Sequence, residues 1–170
     1  MTDAPQLALF HFDSLFGKGS IRPNKLDPAY SPYTALFAEL QRQGCKVALV
    51  YEARREALAK QYLVNLRASE DAHGRLLIDG IQKVDFNAGK SYDRIAHEFG
   101  INAEDSLVVM PSPTDAQDAL NRGASQAMAV QLSPMVLAKE LRAARKGHPD
   151  MTPERAKYND LRAALHLLPA

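Results

Sequence analysis

A chain of 170 residues is one domain's worth of sequence, long enough to bury a core without disulfides or metal. Its 21 Lys plus Arg against 20 Asp plus Glu, a net charge of +1, exclude a domain that holds nucleic acid through a strongly basic field. The single cysteine, Cys45, excludes an internal disulfide framework and a multi-cysteine metal site.

No run approaches the ~20 apolar residues of a membrane span. Met1–Pro5 lacks the basic and apolar regions of a secretion signal, so the expected location is the cytoplasm.

The first element is an apolar run, Gln6–Phe12, which reads as a buried strand. Gly17–Pro32 follows, with three prolines and two glycines, and reads as a loop. A helix beginning at Ser31 or Tyr33 carries Leu36, Phe37 and Leu40 on one face and ends at Gly44. Lys46–Tyr51 is a second apolar strand. Arg54–Arg67 repeats Leu58, Tyr62 and Leu66 every fourth residue, the period of an amphipathic helix. Leu76–Ile78 reads as a short strand, and Ser91–Phe99 as a helix closed by Gly100. Ser106–Met110 is a third clear strand. A helix at Thr114–Asn121 and a weaker strand at Ser125–Gln131 come next. Ser133-Pro134 and Thr152-Pro153 each pair an N-cap residue with a proline at the first helical position, so two helices end the chain.

Apolar strands alternating with helices imply a mainly parallel sheet covered on both faces, a Rossmann-like three-layer α/β/α sandwich. The expected organisation is a single domain over 1–170, with a core at about 6–131 and C-terminal helices at about 133–168. Ligands of such sheets bind at the carboxyl ends of the strands. There the sequence places Phe10-His11-Phe12-Asp13-Ser14-Leu15, then Val50-Tyr51-Glu52, then Gly89-Lys90-Ser91 opening a helix, then Met110-Pro111-Ser112-Pro113-Thr114-Asp115.

This ordered set resembles the haloacid dehalogenase (HAD) superfamily, whose members are mostly magnesium-dependent phosphatases. The stretch Gly89–Gly123 carries the resemblance best, with a lysine motif, helix, strand and acidic motif in succession. The resemblance implies an aspartate nucleophile after the first strand and a second aspartate, two residues on, as acid/base. It also implies a hydroxyl and a lysine on the phosphoryl oxygens, and acids after the third strand that help bind magnesium. Here the nucleophile position falls on His11 and the acid/base position on Asp13. The hydroxyl position falls on Tyr51 and the lysine on Lys90, with Ser91 beside it as a further phosphate contact. The acidic positions fall on Pro111 and Asp115, so magnesium, if bound at all, would have Asp13 and Asp115. The segment Leu15–Pro32 leaves room only for a loop in place of the family's first cap insertion, so a capless or minimally capped form is expected.

Two functions compete on these residues. One is an inactive pseudo-phosphatase with a binding, regulatory or assembly role and no cofactor; it rests on His11, Leu15 and Pro111. The alternative is a divergent magnesium-dependent phosphohydrolase with weak activity, using Asp13, Lys90 and Asp115. The residues also have structural readings: His11 as a satisfied core histidine, Asp13 as a loop brace, and Asp115, Ser112 or Thr114 as helix caps. The implied partner is a protein or a small phosphorylated ligand, not a membrane and not nucleic acid. Leu161, Leu165 and Leu168 suit either packing on the body or a homodimer seam.

Overall fold

The computed structural model describes residues 4–17, 19–22, 26–28, 32–68, 78–84, 91–147 and 152–170. Among them, five strands form one sheet: β1 (Leu7–His11), β2 (Lys46–Tyr51), β3 (Gly80–Lys83), β4 (Ser106–Met110) and β5 (Ala127–Ala129). Their order is β3-β2-β1-β4-β5, and every described pairing is parallel. In register, Leu7 lies between Lys46 and Ser106, and Phe10 between Leu49 and Val109.

The helices are α1 (Phe12–Phe16), α2 (Pro32–Arg42), α3 (Glu56–Ala68), α4 (Ser91–Glu98), α5 (Pro113–Asn121), α6 (Pro134–Arg145) and α7 (Pro153–Ala164). Strand alternation sorts the side chains into two cores. Phe10, Leu49 and Val109 face one way and pack against α2, α3, α6 and α7. Leu9, Val50 and Val108 face the other way and pack against α4 and α5. The central strands β1 and β4 are buried along their whole length, which is why they read as unbroken apolar runs. The crossovers leave β1 and β4 on opposite faces of the sheet. Their carboxyl ends therefore border the crevice where doubly wound sheets bind ligands.

Among the described residues of 17–31 there is no strand and no α-helix. No helix among the described residues is long and apolar enough to cross a membrane.

The third strand in sequence order differs from expectation. It is Gly80–Lys83, with Ala48 opposite Gly80, and Ile78 of the expected Leu76–Ile78 lies before it. Leu76 and Leu77 lie outside the described residues, while Ile78 enters the core from just before the strand. An edge strand is covered less fully, so Gly-Ile-Gln-Lys gives little apolar signal. The two terminal caps also differ. Proline opens both helices, but neither Ser133 nor Thr152 makes a side-chain cap bond among the described residues. Glu154 Oε2 instead accepts from the Ser133 backbone N–H at 2.8 Å, tying the two helix starts together.

Helix α7 is fastened to α2 by a forked ion pair. Arg162 Nη1 and Nη2 donate to the two carboxylate oxygens of Glu39 at 2.8 and 2.9 Å. Its Nε donates to the Leu168 carbonyl at 2.6 Å, and its guanidinium lies over the Tyr158 ring. A lysine has no such fork. Arg162→Lys is therefore expected to lose about 2 kcal/mol in urea unfolding, and a loss under about 0.5 kcal/mol, the range of an ordinary surface change, would contradict this reading.

Candidate functional site

The first strand ends in an unusual helix cap. His11 is the N-cap of α1, and its Nδ1 accepts from the Asp13 backbone N–H at 3.1 Å. A nitrogen that accepts carries no proton, so neutral His11 is protonated on Nε2. The Ser14 hydroxyl donates to the His11 carbonyl at 2.7 Å and closes the same turn. His11 is 1% exposed, and its Nε2 has no hydrogen-bond partner among the described residues. Glu52 Oε1 is 3.7 Å away, beyond bonding range. Burial lowers the His11 pKa below its ordinary 6.5, against the opposing pull of the Asp13, Glu52 and Asp115 carboxylates.

Asp13 is 0% exposed, and both of its oxygens are occupied. Oδ1 accepts from Arg55 Nε at 3.0 Å, and Oδ2 from Arg54 Nη2 at 2.6 Å. Both arginines sit in the single 3-10 turn, Ala53–Arg55, that follows β2. They therefore reach Asp13 directly across the sheet's carboxyl edge.

Arg55 is buried and lies over the Phe12 ring. Its Nη2 also donates to the carbonyls of Gly17 and Gly19, at 3.0 and 2.7 Å. One guanidinium thus joins the site floor to the loop after α1. Gly17 has φ +82°, a conformation that side chains oppose, and this lets the chain leave α1 at that point. Phe16 packs edge-on to Tyr62 of α3 and fixes α1 from the other side. Arg54 is the more exposed of the two, at 46% for its side chain. Its Nε donates to Glu52 Oε2 at 3.2 Å, so it bridges two carboxylates.

Of the remaining expected residues that the structure describes, Asp115 acts on the His11 ring from the first turn of α5, and Tyr51 faces away from it. Tyr51 packs into the core under α2 and α3, and strand alternation puts His11 on the opposite face. Ser91 is buried at the start of α4, where the next backbone N–H, that of Tyr92, donates to the Arg122 carbonyl. Lys90 lies outside the described residues. Pro111 is buried at the end of β4. Ser112 caps α5: its Oγ accepts from the Asp115 N–H at 3.2 Å and donates to Asp115 Oδ2 at 2.6 Å. His11 and Asp13 do come together, but the groups completing the cluster are Glu52, Arg54 and Arg55. Sequence reasoning missed all three as site residues. Their one signal is position, directly after a central strand's carboxyl end.

Magnesium requires hard oxygen ligands in octahedral array. These residues do not fit it. The His11 lone pair is held by a backbone N–H, and Pro111 has no donor atom. Both oxygens of Asp13 accept from guanidiniums, and Asp115 Oδ2 accepts from Ser112. Donor atoms of His11, Asp13 and Glu52 do lie within 4.8 Å of one another. Arg54 already bonds two of those three groups.

Comparison with known proteins adds no family. No family model and no curated protein matches the chain. Among solved structures, one similar chain is an uncharacterized protein from Corynebacterium glutamicum, 11% identical, with a TM-score of 0.46 over 86% of this chain and 98% of that one. Another is the cobalt-bound deoxy-D-mannose-octulosonate 8-phosphate phosphatase of Haemophilus influenzae, 12% identical, with a TM-score of 0.45 over 81% of this chain and 74% of that one. At TM-scores below 0.5, neither likeness bears on the chemistry of the site.

Two predictions follow from the geometry. Asp13→Asn leaves Arg55 buried without its counter-charge and is expected to cost about 3–5 kcal/mol in chemical denaturation. A cost under about 1 kcal/mol, ordinary for an exposed pair, would contradict the burial. The second concerns pH. A histidine whose folded pKa is lowered contributes no penalty above its unfolded pKa, and stability is lost as pH falls from 6.5 towards the folded value. The melting temperature of the native chain should therefore fall more steeply below pH 6.5 than that of His11→Asn, whereas parallel curves would remove His11 as the cause.

Proposed function

We propose that this chain is a HAD-like domain that no longer transfers phosphoryl groups, a pseudo-phosphatase retained for binding, regulation or assembly. The observation that carries this reading is the state of Asp13, which is fully buried with one guanidinium on each oxygen. An acid/base has to reach its substrate and exchange a proton with it. Asp13 does neither while Arg54 and Arg55 hold it. The tautomer of His11 supports the same reading, because an imidazole nucleophile attacks through a lone pair and the Nδ1 lone pair is held by the α1 cap. In other enzymes, removal of a nucleophile costs on the order of 10⁴–10⁶ in turnover. The partner in this reading is a protein or a small phosphorylated ligand at the carboxyl edge of the sheet.

The test is hydrolysis of a generic aryl phosphate, with and without magnesium, by the native chain and Asp13→Asn, at a temperature where both are folded. No magnesium-dependent turnover above the variant's background is expected. Magnesium-dependent turnover that Asp13→Asn abolishes would overturn the proposal in favour of a divergent phosphohydrolase built on Asp13.

A further inference from the structure

Strand β5 closes one side of the sheet, and no strand pairs with its outer edge among the described residues. The bonds that bracket it fix which peptide groups face outward. Val108 N–H donates to the Gln126 carbonyl at 3.0 Å, and Val130 N–H donates to the Met110 carbonyl at 2.8 Å. Residues 126, 128 and 130 therefore turn their peptide groups toward β4, while Ala127 and Ala129 turn theirs outward. Ala129 is exposed. Sheet edges are normally guarded by charge, proline or a bulge. From Ser125 to Ser133 this chain has no charged residue and no proline, whereas the opposite edge strand, β3, follows Asp79 and ends on Lys83. Beside β5 lies a groove of about 270 Å³, lined by Met128 and Val130 of this segment and by Lys157 and Asp160 of α7.

We propose that β5 is a self-association edge: it pairs antiparallel with β5 of a second copy, about a two-fold axis at Met128, and joins the two sheets into one. In this register Ala127 of one protomer faces Ala129 of its partner, and each such pair exchanges N–H···O=C bonds in both directions. The two Met128 residues form the close pair at the axis, with Cα atoms about 4.5 Å apart. A two-fold interface has to be complementary to itself, and this edge is. Lys157 and Asp160 carry opposite charge beside the same groove, and the axis sets each against the other on the partner. Lys157 Nζ bonds Glu154 within its own helix at 3.0 Å, and its ammonium has donors left for a second carboxylate. A foreign strand would meet only a three-residue edge, while a second copy meets that edge and both charges reciprocally. A net charge of +1 does not repel a second copy. Leu161 and Leu165, the other expected seam, are buried within the chain and do not supply one. The pairing uses none of the groups around Asp13, so it stands or falls separately from the pseudo-phosphatase reading.

The experiment is sedimentation velocity of the native chain from low micromolar to sub-millimolar concentration, with amide hydrogen exchange read by NMR at both ends of the range. A concentration-dependent dimer is expected, in which the Ala127 and Ala129 amides exchange at least about tenfold more slowly than in the monomer. Ala129→Pro removes an outward N–H and leaves the bonds to β4 in place. It should weaken dimerisation at least about tenfold, with circular dichroism checking that it folds. Asp160→Lys sets like charges together and should also weaken the dimer, and Lys157→Asp combined with Asp160→Lys should recover it. These two variants leave the strand untouched and carry the test if Ala129→Pro does not fold. A monomer throughout the range would overturn the proposal. So would a dimer in which Ala127 and Ala129 stay unprotected, one that Asp160→Lys leaves as tight as in the native chain, or a loss that the charge swap does not recover.

Discussion

A carboxylate with no access to water must be matched by positive charge and hydrogen bonds, or it will not remain buried. Asp13 is such a group, and much of the carboxyl edge of the sheet is arranged around it. Two arginines in one turn after β2 converge on its two oxygens. One of them continues to the loop after α1 and fixes the backbone at Gly17 and Gly19. The turn that carries Asp13 is capped in its own right by the His11 ring. The strand end, the one-turn helix, the loop and the 3-10 turn are therefore one hydrogen-bonded assembly.

This assembly explains why a site in the usual place for chemistry in a doubly wound sheet has an unusual character. The chain leaves β1 and β4 toward opposite faces, which puts this edge where doubly wound sheets bind ligands. Its charged groups are largely spent on one another. Asp13 holds two guanidiniums, Glu52 holds one, and Asp115 is engaged by Ser112 in a reciprocal cap. Buried ion pairs fix geometry more surely than they add stability. Elsewhere, Cys45 illustrates simple burial: its thiol pKa is pushed up to about 12, chiefly by desolvation.

The sequence made the architecture legible where burial writes directly into residue type. Leu7–His11, Lys46–Tyr51 and Ser106–Met110 are central strands covered on both faces, and each reads as a continuous apolar run. The helices after them show apolar residues at helical spacing, and Gly44 and Gly100 mark helix ends with φ of +85° and +73°. The edge strand Gly80–Lys83 was illegible because its neighbours cover it only in part. In the site, His11 and Asp13 stood out as departures from a known motif. Arg54 and Arg55 did not, because two arginines opening an amphipathic helix look like an ordinary solvated start. Only the sheet order, with β2 beside β1, brings them onto Asp13 across 41 and 42 residues of chain.

The central claim is that Asp13 and Arg55 act as one buried unit. A double-mutant cycle tests it most directly, with Asp13→Asn, Arg55→Gln and the combined variant compared by chemical denaturation. The account predicts strong non-additivity, a coupling of about 2 kcal/mol or more, with the double variant little worse than either single one. Additivity within about 0.5 kcal/mol, as found for independent sites, would show that the pair is not the constraint on which this edge of the sheet depends.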